Sequence, residues 1–194
     1  SIGAATIAIR TLSRVAINAV KQFKDFEFQM AKVRAISGAT DKEFKVLERA
    51  ALKLGGSTMF TSSKVAELQL NLSKLGFTAR EIIVAEEAIL NLATATTEDL
   101  ARSATVVAST IRGFSLDASE AGRVANVMGK AFTSSALDLE KFQTSMSKVS
   151  PVAQLLGFSV EETTAILARL TDAGIERSIA GTSLRNIMIE LGDP

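Results

Sequence analysis

Cysteine, histidine, tryptophan and tyrosine are all absent from this chain of 194 residues. The lack of cysteine excludes disulfide bonds, a thiolate nucleophile, iron–sulfur clusters and cysteine-ligated zinc. The lack of histidine removes the imidazole base and with it a Ser-His-Asp triad. Without tryptophan or tyrosine, aromatic stacking on nucleobases would depend on phenylalanine alone. We therefore expect no cofactor, no metal and no small-molecule substrate.

An excess of one charge is lacking as well, because 22 basic residues stand against 21 acidic ones and the net charge is +1. No strong field draws the chain to DNA, and we expect no sequence-specific binding of nucleic acid. The balance is uneven along the chain, since residues 1–54 carry a net +5 and residues 55–194 a net −4. Copies arranged end to end, basic against acidic, are one interpretation, and solvated helix faces are the other.

The chain also lacks any run of about 18 consecutive apolar residues, which a membrane-spanning helix requires. Its apolar segments Ala88–Ala95 and Ala104–Ile111 are far shorter than that. The first residues are Ser1-Ile2-Gly3, without methionine, and we expect the chain to be a piece of a longer protein.

The first domain predicted from the sequence is a single long helix, residues 1–37, ending at Gly38. Proline is missing from this stretch, and apolar residues recur every three or four positions, as throughout this all-α chain. The spacing forms an a/d heptad seam in which a is Ile2, Ile9, Ala16, Phe23 and Met30, and d is Ala5, Leu12, Ala19, Phe26 and Val33. A continuous seam indicates a coiled coil between copies. We expect a homo-oligomer, with the candidate contacts Ile2, Ile9, Leu12, Phe23, Phe26, Met30 and Val33. The alternative is an amphipathic helix packed on its own domain.

The second domain, residues 38–194, is predicted to consist of short helical hairpins. Capping boxes begin at Thr40, Thr78 and Ser159, each with a glutamate three residues later. Gly55-Gly56 is expected to end the first short helix, and Ser62 or Ser63 to cap the next.

A repeat of about 36 residues is suggested by the spacing of Thr61, Thr97 and Thr133, each expected to begin a helix. Each of these helices is expected to end in Gly-Phe-Ser or Gly-Phe-Thr. There the glycine would take the left-handed cap and the phenylalanine would enter the core. These pairs are Gly76-Phe77, Gly113-Phe114 and Gly157-Phe158.

The last segment runs from Gly174 to Arg185 and then into a final helix expected at residues 183–191. Gly181 is expected to allow close approach of two helices, with Thr182 or Ser183 as the cap. Arg185 either docks another protein or serves its own fold, by pairing with Asp172 or Glu176 or by binding a carbonyl at a helix end.

Several of these segments, in this order, resemble the tail tape-measure (minor tail) proteins of long-tailed bacteriophages. The resemblance runs from about Phe26 to Leu191 and includes Ala50–Gly55 followed by Phe60-Thr-Ser-Ser63, and Leu75–Thr78 followed by Leu90–Ala93. Its most specific part is the family signature "G-I … A-G-T-[AS]-L-R". The matching residues here are Gly174, Ile175, Ala180, Gly181, Thr182, Ser183, Leu184 and Arg185.

The resemblance implies a structural role in tail assembly, in determining tail length and in genome delivery. It implies the tail tube, tail-tip proteins and assembly chaperones as partners. It places the chain in the virion tail, in the tube lumen or at the tip, after assembly in the bacterial cytoplasm. Alternatives are a helical scaffold, such as an α-solenoid, that docks tail-tip proteins, and a segment with transient membrane activity during DNA ejection. Because the hairpins would be compact, we expect the measuring length to lie elsewhere in the parent protein.

Catalysis by paired carboxylates is the remaining alternative, and we expect the chain not to be an enzyme. The candidate pairs are Glu86-Glu87, Glu98-Asp99 and Glu161-Glu162. Adjacent residues on a helix diverge by about 100° and do not face a common substrate. Asp172 and Glu190 could be buried near the signature, but nothing pairs them.

Overall fold

The computed structural model describes the backbone of residues 2–192 and the side chains of residues 17–192. This part of the chain contains nine α-helices and no β-strand, so the all-α prediction is confirmed. The helices are α1 (Ile2–Ser37), α2 (Asp41–Ser57), α3 (Ser62–Lys74), α4 (Ala79–Thr96), α5 (Leu100–Gly113), α6 (Ala121–Ser134), α7 (Leu139–Leu155), α8 (Val160–Asp172) and α9 (Arg177–Gly192). A short 3-10 turn, Ala118–Glu120, precedes α6.

The helices pack in two layers. Each helix lies beside the helix two places away in the chain, so that α1, α3, α5, α7 and α9 form one layer and α2, α4, α6 and α8 the other. We call these the odd layer and the even layer. Contacts between consecutive helices, such as α2 with α3 and α8 with α9, join the two layers. Each helix therefore packs mainly against its neighbours along its own layer and against the adjoining helices of the other layer.

The hydrophobic core lies between the layers. Helix α3 packs against α4, and Leu68 and Leu72 of α3 are fully buried, as are Ile82 and Ile89 of α4. In the last third of the array, Phe142 is fully buried and its ring meets that of Phe132 edge to face, with centroids 5.7 Å apart. The even spacing of large apolar residues along each helix therefore continues one core through the whole array.

Four turns share one backbone arrangement. After α3, Gly76 adopts φ 82°, and the amide of Phe77 donates a hydrogen bond of 3.0 Å to the carbonyl of Leu72. The same left-handed residue and returning amide follow α5, α7 and α8, where the left-handed residues are Ser115, Gly157 and Gly174. This is the Schellman motif, which satisfies carbonyls at the end of a helix and reverses the chain.

The expectation for Gly113 is wrong, because this residue is helical and Ser115 takes the left-handed conformation with φ 52°. Leu116, rather than Phe114, then returns its amide to the helix, at 2.8 Å from the carbonyl of Ile111. A Cβ on Gly113 would lie 2.5 Å from the hydroxyl of Ser150 in α7. This glycine therefore serves the close approach of α5 and α7. Phe77 and Phe114 are buried, whereas Phe158 is only partly buried at the edge of the core.

Three other boundaries differ from the sequence expectations. The helix α2 continues through Gly55 and Gly56, and a Cβ on Gly55 would collide with Ser62 at the start of α3. Gly55 therefore lies inside α2, where the absence of a side chain leaves space for the first residue of α3. The side chain of Thr61, rather than of Ser62 or Ser63, caps α3. Thr97 lies in the left-handed region between helices, and Asp99 caps α5.

The remaining corrections concern residues near helix ends. Thr133 lies in the last turn of α6, where its hydroxyl donates to the carbonyls of Gly129 and Lys130, and Asp138 caps α7 instead. The sequence Phe-Thr-Ser-Ser, which occurs at residues 60–63 and again at residues 132–135, thus begins α3 and ends α6, because hydroxyl groups can satisfy either helix terminus. The last helix begins at Arg177, so residues 182 and 183 lie inside it and do not cap it.

Candidate interaction surfaces

The first helix extends well beyond the helix on which it packs. At about 1.5 Å per residue, the 36 residues of α1 span roughly 54 Å and the 13 residues of α3 roughly 20 Å. The contacts of α1 are made mainly with α3, and its buried residues are Phe26, Met30 and Val33. The described residues before Phe26 are all exposed. This part of α1 therefore presents a free helical surface to solvent.

The predicted heptad seam is divided by this arrangement. Phe26, Met30 and Val33 are at most 5% exposed, because they pack into this chain's own core. Phe23, the next seam residue toward the N terminus, is 63% exposed. The seam residues Ile2, Ile9 and Leu12 lie outside the residues whose side chains are described. Packing on the chain's own domain is thus observed for Phe26, Met30 and Val33, whereas the coiled coil stays a prediction for the part of the seam that begins at Phe23 and continues toward the N terminus.

The signature segment mainly packs α9 against α7. A Cβ on Gly181 would lie 2.7 Å from the Cα and 2.8 Å from the carbonyl oxygen of Ser145, so only glycine permits this approach. Leu184 is buried, and Ile175 packs at the edge of the core. The Ser145 hydroxyl donates to the carbonyl of Arg177 at 2.7 Å.

The polar residues of the signature have different surroundings. Lys148 reaches from α7 to the hydroxyl of Thr182, at 3.3 Å. Ser183 is partly buried and Gly174 lies exposed in the Schellman turn. Arg185 is exposed, and its guanidinium donates to the Asn186 side chain at 3.4 Å. It makes no ion pair with Asp172 or Glu176 among the described residues, so the expected pairing is wrong.

None of the candidate carboxylate pairs faces a common site. Glu161 pairs with Arg123, which lowers its pKa, whereas Glu162 accepts hydrogen bonds from the Ser159 cap, which lower its pKa as well. Asp99 caps α5, and Glu98 next to it is partly buried. The suggested burial of Asp172 and Glu190 is wrong, because both are exposed.

Among the carboxylates of these candidate pairs, Glu86 alone is buried, with 1% of its surface exposed. It accepts a hydrogen bond of 2.8 Å from the amide nitrogen of Gln69, and burial raises its pKa to about 7. Glu87, which is exposed, adds a smaller like-charge contribution. Reading the chain alone missed this burial, although Ile82 and Ile89 are spaced four residues before and three after it, on the same helix face.

The even layer carries two neighbouring grooves, one on each side of α6. The groove between α4 and α6 has a volume of about 500 Å³ and the groove between α6 and α8 about 520 Å³. Their floors are formed largely by small residues: Ala88, Gly122, Ala125, Gly129, Ala131, Ala165 and Ala168. The Thr164 hydroxyl, which lines the second groove, is buried without a hydrogen-bond partner.

Two kinds of site do not occur among the residues described. No helix in that range is both long enough and apolar enough to cross a membrane. Within the same range, acidic side chains are not grouped in threes in a way that could hold a metal ion.

The family model described as phage-related minor tail protein matches residues 48–194. The chain belongs to this family. The resemblance read from the sequence is thereby confirmed, and it covers α3 to α9 together with most of α2. By its description, this family comprises minor proteins of the phage tail.

Two relatives match almost the whole chain. The tape measure protein of Pneumococcus phage Dp-1 is 35% identical over 192 residues, which cover 99% of this chain and 17% of that protein. The probable tape measure protein of Escherichia phage P2 is 26% identical over 197 residues, which cover 100% of this chain and 24% of that protein. The chain therefore spans less than a quarter of the length of either relative. No solved structure matches it.

Proposed function

We propose that the chain is a non-enzymatic module of a phage tail tape-measure protein that acts in tail assembly and genome delivery. The observation that carries the proposal is its membership of the minor tail protein family, together with two relatives named as tape measure proteins. Its partners in this role are the tail tube, tail-tip proteins and assembly chaperones. Its location is the virion tail, after assembly in the host cytoplasm.

The fold suggests how such a module contributes. Residues 41–192 are folded into two layers of short helices, none longer than 18 residues. A folded array adds little length to a ruler compared with the same residues in one extended helix. We therefore assign the measuring length to other parts of the parent protein and an assembly role to this module.

An in-frame deletion of residues 37–191 from the parent chain tests this role by electron microscopy of the particles. We expect tails that are absent, or that have normal length and do not infect. Tails shortened by the length of that many helical residues would contradict the assignment, because the segment would then be stretched inside the tube.

The free part of α1 is proposed to join copies of the chain. Phe23 continues the seam that Phe26, Met30 and Val33 bury on α3, and its own side chain is 63% exposed. A seam with apolar residues at every a and d position favours pairing with a like helix. The pairing would leave the array itself unchanged, because α3 already occupies the other part of the seam.

Sedimentation velocity of the 194-residue chain measures this association. Phe23→Ser should weaken it, whereas Phe28→Ser should not, because Phe28 is similarly exposed at 61% but lies off the seam. A wild-type chain that remains monomeric at the highest attainable concentration would contradict the proposal. Equal effects of the two substitutions would do so as well.

Docking of a tail-tip protein is a second candidate function, favoured by the adjoining grooves beside α6. Gly122 and Gly129 carry no side chain on the α6 wall of the first groove, which leaves that groove open to a partner. Gly129→Gln would fill the first groove and should block tail-tip binding in a pull-down with purified tip proteins. Glu190→Gln, at an exposed position of α9 outside both grooves, is the control. Unchanged binding by the Gly129 variant would exclude the groove.

A further inference from the structure

A buried polar junction joins three helices near the N-terminal end of the array. The amide nitrogen of Gln69 in α3 donates to the carbonyl of Leu47 in α2 at 3.0 Å and to the carboxylate of Glu86 in α4 at 2.8 Å. Gln69 and Glu86 are both at most 1% exposed. One side chain of α3 therefore connects α2 and α4 from inside the core.

Glu86 is the single charged side chain that is buried in the described part of the chain. A carboxylate withdrawn from water is costly in its ionised form unless a cation pairs with it. Gln69 supplies one neutral N–H donor to this carboxylate, and its other N–H is donated to the carbonyl of Leu47. The carbonyl oxygen of Gln69 has no partner, so the junction also holds an unused acceptor.

Among the side chains that the structure describes, no cation pairs with Glu86. Its neighbour Glu87 on α4 has the same charge. The charged residues on the elements that pack against α4 all reach solvent, and none pairs with Glu86 in the described part of the chain. They are Asp41, Lys42, Glu43, Lys45, Glu48, Arg49 and Lys53 of α2, Lys64, Glu67 and Lys74 of α3, Arg102 and Arg112 of α5, Asp117 and Glu120 at the 3-10 turn, and Arg123 and Lys130 of α6.

We propose that this junction is a pH-sensitive latch that holds α2 on α3 and α4 while the Glu86 carboxyl is neutral and loosens α2 when it ionises. The neutral carboxyl carries no charge into the dry core. Its O–H group can donate a hydrogen bond to an acceptor such as the unpaired side-chain oxygen of Gln69. The ionised carboxylate draws water toward the junction, and the contact that water can reach most directly is that of α2, the outermost helix of the even layer. This inference does not depend on the proposed function.

The direction of the effect follows from proton linkage. Burial raises the pKa of Glu86 from 4.5 to about 7 in the closed state, whereas an opened junction would return it toward 4.5. Between these values the closed state holds a proton that the open state has lost. Closure is therefore favoured most below pH 4.5, weakens as the pH rises to about 7, and is constant above that. The opened fraction should rise on the order of a hundredfold across this range.

Hydrogen–deuterium exchange of α2 amides tests the latch, with each rate divided by the intrinsic rate at the same pH. In the wild-type chain, protection of α2 should fall between pH 4.5 and 7 relative to protection of α8, which is remote from the junction. Glu86→Gln should remove this pH dependence. Glu87→Gln, a change to the exposed neighbour, should retain it. Protection of α2 that does not vary with pH, or that varies equally in the Glu86 variant, would overturn the proposal.

A second measurement does not depend on a variant that folds. The carbon-13 chemical shift of the Glu86 carboxyl in the wild-type chain follows its titration directly. A midpoint near neutrality supports the latch. A midpoint near that of an exposed glutamate overturns it, because the carboxyl would then have the same pKa in the closed and the open state and could not couple opening to pH.

Discussion

The first and the last helix of the odd layer pack against their neighbours in different ways. At the N-terminal end, α1 meets α3 through the large apolar side chains Phe26, Met30 and Val33. At the C-terminal end, α9 meets α7 through Gly181, which lies against the backbone of Ser145. The first contact depends on the apolar volume that is buried, and the second on the absence of a side chain.

Polar contacts accompany the close approach of α7 and α9, whereas none joins α1 to α3 among the side chains that the structure describes. The Lys148 ammonium binds the hydroxyl of Ser178 at 2.5 Å, and the Ser145 hydroxyl binds the carbonyl of Arg177. Backbone groups brought close together in a partly dry contact need such partners. Two helix pairs in one layer thus use different physical means, and substitutions should separate them.

The largest loss of stability is expected from Phe26→Ala. Truncating a buried phenylalanine removes its transfer free energy and leaves a cavity, so we expect a loss of about 3–5 kcal/mol. Urea unfolding measures it. Phe23→Ala, one helical turn away on the exposed part of the seam, should cost less than about 0.5 kcal/mol in the monomer. Similar losses for the two variants would show that the seam is not divided as described.

Gly181→Ala should have the next largest effect, a loss of about 1–3 kcal/mol from overpacking. The added Cβ would meet backbone atoms of Ser145, which cannot rotate away. The control is Gly122→Ala in α6, where nothing lies within 4 Å of the new Cβ. That change should stabilise the chain by about 0.5–1 kcal/mol, because it removes backbone freedom from the unfolded state. Thermal unfolding of both variants would compare them, and a stable Gly181 variant would contradict the close contact.

The helix caps near the two ends should be equivalent. Thr40 begins α2 and Ser159 begins α8, both in complete capping boxes. Replacing either hydroxyl residue by alanine should cost about 1 kcal/mol in chemical denaturation. A marked difference between the two variants would mean that capping, as well as packing, distinguishes the ends.

The smallest effect is expected from Glu140→Gln. This carboxylate bridges Arg177 of α9 at 2.9 Å and Arg102 of α5 at 3.9 Å, but it is 49% exposed. Exposed ion pairs contribute up to about 1 kcal/mol and are screened by salt. The loss should therefore shrink at high ionic strength. A larger loss that ignores salt would assign Glu140 a buried role at the C-terminal end.

Local features of the fold could be predicted wherever a few neighbouring residues decide them. Thr78 and Glu81 form the capping box that their spacing indicates, and Gly38 adopts the positive φ expected of a helix end. Gly113 shows where such reasoning stops. Its Gly-Phe-Ser context matches a left-handed cap, but the space beside Ser150 of α7 requires a glycine inside the helix. The sequence does not show which neighbour a glycine faces.

The candidate sites show the same division. The signature from Gly174 to Arg185 was recognised from its order of residues, and the close helix approach at Gly181 was anticipated. The junction at Glu86 was not, because its glutamate is adjacent to an exposed one and resembles a solvated pair. Only the packing of α2, α3 and α4 around Gln69 shows that Glu86 is buried and that Glu87 is not.

By itself, the sequence determined the helical character of the chain, its capping boxes at Thr40, Thr78 and Ser159, and the family to which it belongs. These properties depend on short-range spacing and on the order of motifs, which a linear sequence contains in full. The tertiary structure alone decided which part of the α1 seam is buried, which glycines permit close contact and which carboxyl group loses water. Each of these depends on residues distant in the chain, because burial is a property of what folding brings alongside a side chain.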